Sequence, residues 1–318
     1  MVNPNVTDIP LSEFKDAQNR IRGIAIKTPL VKLQVEGDRE IYLKLENLQP
    51  VGSFKIRCAA NALLKRIDLV KNGASTASAG NFAQGLAYAG RTLGIPINTY
   101  VPETAAQSKI EALKRLGSKV TPIPYKDWWA MLANPSSDPS FIHPATDPDV
   151  LAGNGTIALE ILDELADTAT VITPYGGGGL SVGIATALKA AGAKTKLIAC
   201  ETEAGAPLQA ALTADKPTQV EFNTKTFITG MGGPTVLSSI WPLAKAHIAG
   251  TVQVSLAQTA EAIKLMAERH HIIAEGAGAA PVAAALSHAH LEGPIVCVVS
   301  GGHLDANHLI TILQGNVP

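Results

Sequence analysis

Two stretches carry residues placed for chemistry. In "PVGSFKIR" one lysine, Lys55, follows Gly-Ser-Phe and leads into the apolar run "CAANALLKR". Ser53 reads as an N-cap, which puts Lys55 in the first turn of a helix. The positive end of the helix dipole disfavours an ammonium there and lowers the amine pKa. A lysine easily made neutral is a nucleophile suited to a Schiff base. In "VITPYGGGGLSVGIATALKAA" four glycines, Gly176, Gly177, Gly178 and Gly179, separate a strand-like run from a helix-like run beginning near Leu180. Such a turn lets backbone N–H groups close on a ligand, and the helix start adds unpaired donors. Together they make a phosphate site without a charged side chain. The spacing is neither a dinucleotide fingerprint nor a Walker loop. A phosphate cradle plus an activated lysine suggests pyridoxal phosphate, one group holding its phosphate and the other its aldehyde.

Five motifs occur in order: "PVGSFKIR", "SAGNFAQGLA", "YGGGGLSVG", "AEGAGAAP" and "VVSGGH", with "HPATDPDVLAGNGTIALEI" between the second and third. This order resembles the fold type II pyridoxal-phosphate enzymes, most closely the threonine/serine dehydratase branch that also includes serine racemases. The resemblance covers roughly residues 20–315. It implies that Lys55 bears the cofactor as a Schiff base and, once released, acts as base at the substrate α-carbon. It implies that Phe54 packs beside the cofactor and that Asn81 hydrogen-bonds its phenolic oxygen. Ser78, Ala79, Gly80 and Asn81 would bind the substrate carboxylate, with Phe82 next to them. Gly176 to Gly179 with Leu180 would hold the phosphate. Ser300 would face the ring nitrogen, and Gly230 and Glu275 would line the site near the ring.

A hydroxyl at Ser300 cannot keep a pyridine protonated as a carboxylate would. The ring is then a weaker electron sink, which favours prompt loss of a β leaving group. The expected reaction is β-elimination from a 3-hydroxy amino acid (threonine, serine or a bulkier analogue such as phenylserine), giving a 2-oxo acid and ammonia. Serine racemase-like activity, β-replacement, and non-catalytic binding of pyridoxal phosphate or another phospholigand are the alternatives. In the resembling racemases a serine serves the second face of the α-carbon; here that position is Ala79, which can neither accept nor donate a proton.

Several positions depart from the branch. Phe82 stands where His is usual, His303 where Asn is usual, and Thr229 where Asp commonly precedes the Gly. The extra aromatic at Phe82 could stack on a substrate ring. Relatives bind a divalent cation with a Glu, a backbone carbonyl and an Asp; Glu201 and Gly205 match, but Pro207 takes the Asp place, so no metal is expected.

The elements that position these residues follow from period. "IYLKLE", "ASTASAG", "INTYVP", "KVTPIP", "TVITPY", "TKLIACE" and "PIVCVVSG" read as strands. Between them "SFKIRCAANALLKR", "NFAQGLAYAGRTLG", "AQSKIEALKRLG", "TIALEILDEL", "LSVGIATALKAAGA" and "SLAQTAEAIKLMAERH" read as helices. Apolar strands alternating with helices imply α/β architecture with parallel strands covered on both faces. The resemblance implies two domains, each an open, mostly parallel twisted sheet flanked by helices: residues 1–50 and 148–318 as a large cofactor-binding domain, and 51–147 as a small mobile one. A loop rich in Asn, Pro, Ser and Asp spans 134–149. "DWWAML" reads as a buried or lid segment, the acidic pair of "ILDEL" as a solvated helix face, and His270, His271, His288 and His290 as surface or helix-end residues without zinc-site spacing.

Bulk properties agree. The chain has 318 residues, 46% hydrophobic and 17% charged, with net charge −1. That suffices for a sizeable core and argues against nucleic acid or an anionic membrane as partner. Cys58, Cys200 and Cys297 read as free thiols of a reducing compartment. No stretch is long and apolar enough to span a bilayer, and "MVNPNVTDIPLSEF" has no signal-peptide pattern. A cytoplasmic homodimer acting on a small amino acid is the expectation.

Overall fold

A computed structural model describes residues 9–134 and 136–318. The reading of the N-terminal leader rests largely on residues 1–8, outside the described residues. Among the described residues, nine strands form two sheets. β1 (Leu30–Lys32), β2 (Ile41–Lys44), β6 (Thr170–Pro174), β7 (Lys196–Thr202), β8 (Gly250–Val254) and β9 (Ile295–Val298) make a six-stranded sheet in the order β1-β2-β9-β6-β7-β8. Only the β1–β2 edge is antiparallel. β3 (Ala74–Ala77), β4 (Ile97–Pro102) and β5 (Lys119–Ile123) make a parallel three-stranded sheet.

The helices are α1 (Leu11–Arg20), α2 (Lys55–Lys65), α3 (Ile67–Val70), α4 (Asn81–Leu93), α5 (Gln107–Arg115), α6 (Tyr125–Ala133) and α7 (Pro148–Glu164). After them come α8 (Gly179–Ala190), α9 (Pro207–Ala214), α10 (Trp241–His247), α11 (Leu256–His270), α12 (Gly276–Ser287) and α13 (Ala306–Leu313). Local signals set several starts. Asp147 caps α7 by accepting the Asp149 N–H at 2.9 Å, with Pro148 in the first turn. Ser255 and Gln258 form a capping box on α11.

The large sheet is buried on both faces, as parallel strands require. Val171 and Val296 point into a core shared with α1, α7 and α8. Their neighbours Ile172 and Cys297 point into a second core shared with α11 and α12. All three cysteines are buried and unpaired.

Two expectations are narrowed. "DWWAML" is not a buried segment: it lies in α6, which has no buried residue, and Trp129 is 40% exposed. The acidic pair of "ILDEL" is not simply solvated, because Glu164 pairs with the buried Lys44 at 3.0 Å. Lys44 also reaches Glu160 at 2.9 Å. Glu160 in turn joins Glu46 in gripping the buried Arg57 of α2 through two-oxygen contacts on both sides. This network fixes α2 against α7 and the strand β2.

Candidate active site

A cavity of about 560 Å³ is lined by residues from both sheets' surroundings. Of the residues singled out in the sequence it collects Phe54, Lys55, Ser78, Gly80, Asn81, Phe82, Gly176, Gly177, Gly178, Gly179, Leu180, Gly230, Glu275, Ser300, Thr229 and His303. Of the residues expected to touch cofactor or substrate, Ala79 is the exception. It packs against the small cluster of Ala83, Val101 and Leu113 instead of the cavity.

Lys55 is the first residue of α2, as its spacing suggested, but Ser53 does not cap the helix. The cap position is Phe54, and the Ser53 hydroxyl is buried without a partner. The chain enters α2 differently: the Phe54 N–H donates to the Ser300 carbonyl at 3.0 Å, and the Gly302 N–H to the Gly52 carbonyl at 2.9 Å. The loop after β9 therefore holds the start of α2, bringing Ser300 and Lys55 to one cavity. The Lys55 ammonium has one long hydrogen bond, 3.3 Å to the Pro144 carbonyl, and lies 4.8 Å from the Phe54 ring centroid and 5.7 Å from that of Phe82. Its pKa is lowered, chiefly by burial, against the opposing pull of Cys58 and Glu275.

Pro144 is presented by a turn that His143 organises. His143 Nδ1 accepts the N–H groups of Ala145 at 3.1 Å and Thr146 at 3.0 Å. The ring proton therefore sits on Nε2, which donates to the Leu132 carbonyl at 3.1 Å. The same turn presses Ala145 onto the glycine loop.

Three positions of that loop require glycine. A Cβ on Gly176 would lie 2.7 Å from the Gly230 carbonyl oxygen, and one on Gly179 2.8 Å from the Ala145 oxygen. Gly178 adopts φ +85°, and a Cβ there would meet Ile240 at 2.6 Å. The first N–H groups of α8 have no intrahelical acceptor, and Gly179 and Leu180, where α8 begins, line the cavity. A backbone cradle free of side chains beside a helix start fits a phosphate.

Across the cavity, Asn81 opens α4 and donates from its amide to Glu275 Oε1 at 3.0 Å. Glu275, at the cap of α12, is pushed up to about 7 by burial. Ser300 is 3% exposed and lines the same end. The Ser78 hydroxyl accepts the Gly80 N–H at 3.3 Å, shaping the turn before α4. The cavity's further lining includes Gln84, Pro144, Ala145 and Ala277, which lie within the motifs but have no role implied by the resemblance, and, outside the motifs, one face of α5 bearing Ser108, Lys109, Ala112 and Arg115.

The cation position of the resembling enzymes is occupied otherwise. Glu201 accepts the N–H groups of Leu208 at 2.7 Å and Gln209 at 2.8 Å, capping α9 behind Pro207. Each carboxylate oxygen already accepts one N–H, and Pro207 offers no side-chain ligand.

Comparison with known proteins agrees with this geometry. Residues 21–301 match the family model described as pyridoxal-phosphate dependent enzyme. An L-threonine ammonia-lyase of Thermotoga maritima is 36% identical over 318 residues, covering 96% of this chain and 78% of the relative. Among solved structures, the processed threonine deaminase isoform 2 of Solanum lycopersicum superposes with TM-score 0.85 at 29% identity, covering 98% and 91% of the two chains. A serine racemase from Dictyostelium discoideum gives TM-score 0.83 at 29% identity, covering 93% and 99%.

Proposed function

The chain belongs to the pyridoxal-phosphate dependent enzymes, as a lyase acting by β-elimination on a 3-hydroxy amino acid, and we propose the following division of labour among its residues. Lys55 carries the cofactor and serves as base at the substrate α-carbon. Its single long contact to Pro144 and its lowered pKa support both roles. The loop Gly176–Gly179 with Leu180 holds the phosphate. Ser300 faces the ring nitrogen, and Asn81, Phe54, Gly230 and Glu275 surround the ring. The 78–81 turn orients the substrate carboxylate. When bound, pyridoxal phosphate delocalises the electron pair left as the α-proton departs.

The observation that carries this reading is the convergence of Lys55, the glycine loop and Ser300 on one cavity. Lys55 takes the α-proton, the β-hydroxyl leaves as water, and the freed enamine hydrolyses to a 2-oxo acid and ammonia. Elimination is favoured over racemisation because position 79 offers a methyl group packed away from the cavity. A second proton-transfer group typically contributes about 10²–10⁴-fold.

We further propose that residues 51–147, which contain the three-stranded sheet, move as a small domain over residues 1–50 and 148–318. A cytoplasmic homodimer is the proposed working form. It is supported by Ile26 and Leu48, exposed apolar neighbours joined through Gln49.

The test is to incubate the holoenzyme separately with L-serine, L-threonine and phenylserine, following ammonia, 2-oxo acid and, for serine, D-serine. Ammonia and 2-oxo acid in equal amounts, ahead of D-serine, are expected. D-serine formed as fast as pyruvate would overturn the assignment.

A further inference from the structure

The outer wall of the cavity is one face of α5. Ser108, Ala112 and Arg115 stand at i, i+4 and i+7, so they share a stripe, and Lys109 lies beside it. Leu113, the one buried residue of α5, packs with Ala83 and Val101 on another side. The helix's acidic residue, Glu111, lies outside the cavity lining and accepts a hydrogen bond from Gln107 at 3.2 Å. The wall facing the substrate space is therefore purely cationic, with two small residues leaving room in front of the charges.

The protein lining of the cavity carries more cationic than anionic side chains. Its lining holds Lys55, Lys109 and Arg115 against one carboxyl, Glu275. Burial keeps that carboxyl partly protonated near neutral pH. The ammonium of Lys109 acts electrostatically on Glu275, so it bears on the cavity interior. Neither Lys109 nor Arg115 has an ion pair among the described residues. A cofactor phosphate is provided for by the glycine loop, and the substrate α-carboxylate by the 78–81 turn. Neither of those sites uses the side chain of Lys109 or Arg115, which the outer wall turns to the cavity.

From this wall we infer that the enzyme's preferred substrate carries a second carboxylate on its β-carbon, making it a 3-hydroxy dicarboxylic amino acid such as 3-hydroxyaspartate. The inference rests on the β-elimination reading and adds the class of side chain. Arg115 and Lys109 bind the β-carboxylate, while Phe82, whose ring faces Lys55, closes the inner end. The Cα–H bond breaks with its proton passing to Lys55, and the Cβ–O bond breaks with the hydroxyl leaving as water. Readdition of water to the resulting imine releases ammonia. The net conversion is one 3-hydroxyaspartate to one oxaloacetate and one ammonia, with no oxidant or reductant.

The experiment compares kcat/KM of the holoenzyme for the threo and erythro isomers of L-3-hydroxyaspartate, L-serine, L-threonine and phenylserine. One dicarboxylate isomer should exceed every monocarboxylate by about thirtyfold, the worth of a charged hydrogen bond, chiefly through KM. Arg115→Met and Lys109→Met should each cut the dicarboxylate-to-serine ratio of kcat/KM, by about thirtyfold for Arg115. Arg115→Lys should retain part of it. Serine, threonine or phenylserine turned over as well as either dicarboxylate would overturn the inference and leave the elimination reading standing. So would a ratio unmoved by Arg115→Met. Turnover of none of the compounds would sink both.

Discussion

Gly85 and Lys55 meet where α4 crosses the first turn of α2: a Cβ on Gly85 would lie 2.9 Å from both the carbonyl carbon and the oxygen of Lys55. On the other side of α2, a Cβ on Gly153 of α7 would lie 2.6 Å from the Cys58 Cα. Two helices thus pinch the turn that carries the lysine, each through a glycine. Gly85→Ala forces α2 to shift. It should cost about 1–3 kcal/mol of stability and lower kcat by about tenfold or more. Urea denaturation with steady-state kinetics checks this; a kcat equal to wild type would show that the crossing does not position Lys55.

Arg57 sits two residues further along α2 and is held by Glu46 and Glu160, with its Nη1 2.6 Å from Glu160. Each partner needs the other to remain charged while buried. Arg57→Met leaves two carboxylates without their main cation, which typically costs about 3–5 kcal/mol. The chemical-denaturation midpoint should fall accordingly. A change within about 0.5 kcal/mol would place the network among the energetically neutral ones.

Glu201 and its two N–H donors make a prediction about metal removal. Because the carboxylate already caps α9, chelator treatment should leave turnover intact, and added magnesium or calcium should not raise it. Glu201→Ala should instead destabilise the fold by about 1–3 kcal/mol, leaving buried donors unmet. Activity lost in chelator and regained with either cation would contradict the prediction.

His143 supplies the pH dependence. Its pKa is lowered from 6.5, first by burial and also by the Lys55 ammonium. A lowered folded value means the unfolded chain takes up the proton first as pH falls. The contribution of His143 is complete above 6.5 and is lost as pH drops through the depressed value. Protonation would also remove the Nδ1 acceptor that holds Ala145 and Thr146. The wild-type melting temperature should fall as pH drops below 6.5 more steeply than that of His143→Gln. Parallel curves for the two proteins would refute this.

The sequence made the strand–helix alternation, the glycine loop and Lys55 legible because each has a local signature: period, consecutive glycines, and a lysine at a helix start. Helix boundaries held to within a few residues, except that α7 begins eight residues earlier than the apolar run at Thr156 suggested, at Pro148 behind the Asp147 cap. What escaped depends on distant partners. Ser53 has the chemistry of an N-cap, yet pairing with the loop after β9 sets the helix start one residue later. Arg57 and Lys44 look like solvated charges until Glu160 and Glu164 arrive from α7, with Glu46 completing the grip on Arg57. The cavity face of α5 reads as an ordinary exposed helix, since nothing local distinguishes a face turned to a ligand from one turned to water.

The account turns on Lys55, and one measurement reaches it directly: reduction of the holoenzyme with borohydride, proteolysis, and mass spectrometry of the peptides. The account predicts a single pyridoxyl-phosphate adduct, on the peptide containing Lys55, and none in Lys55→Ala, which should also lose the visible cofactor band and nearly all turnover. An adduct on another lysine, or an absorption band unaltered by borohydride in the wild type, would contradict it.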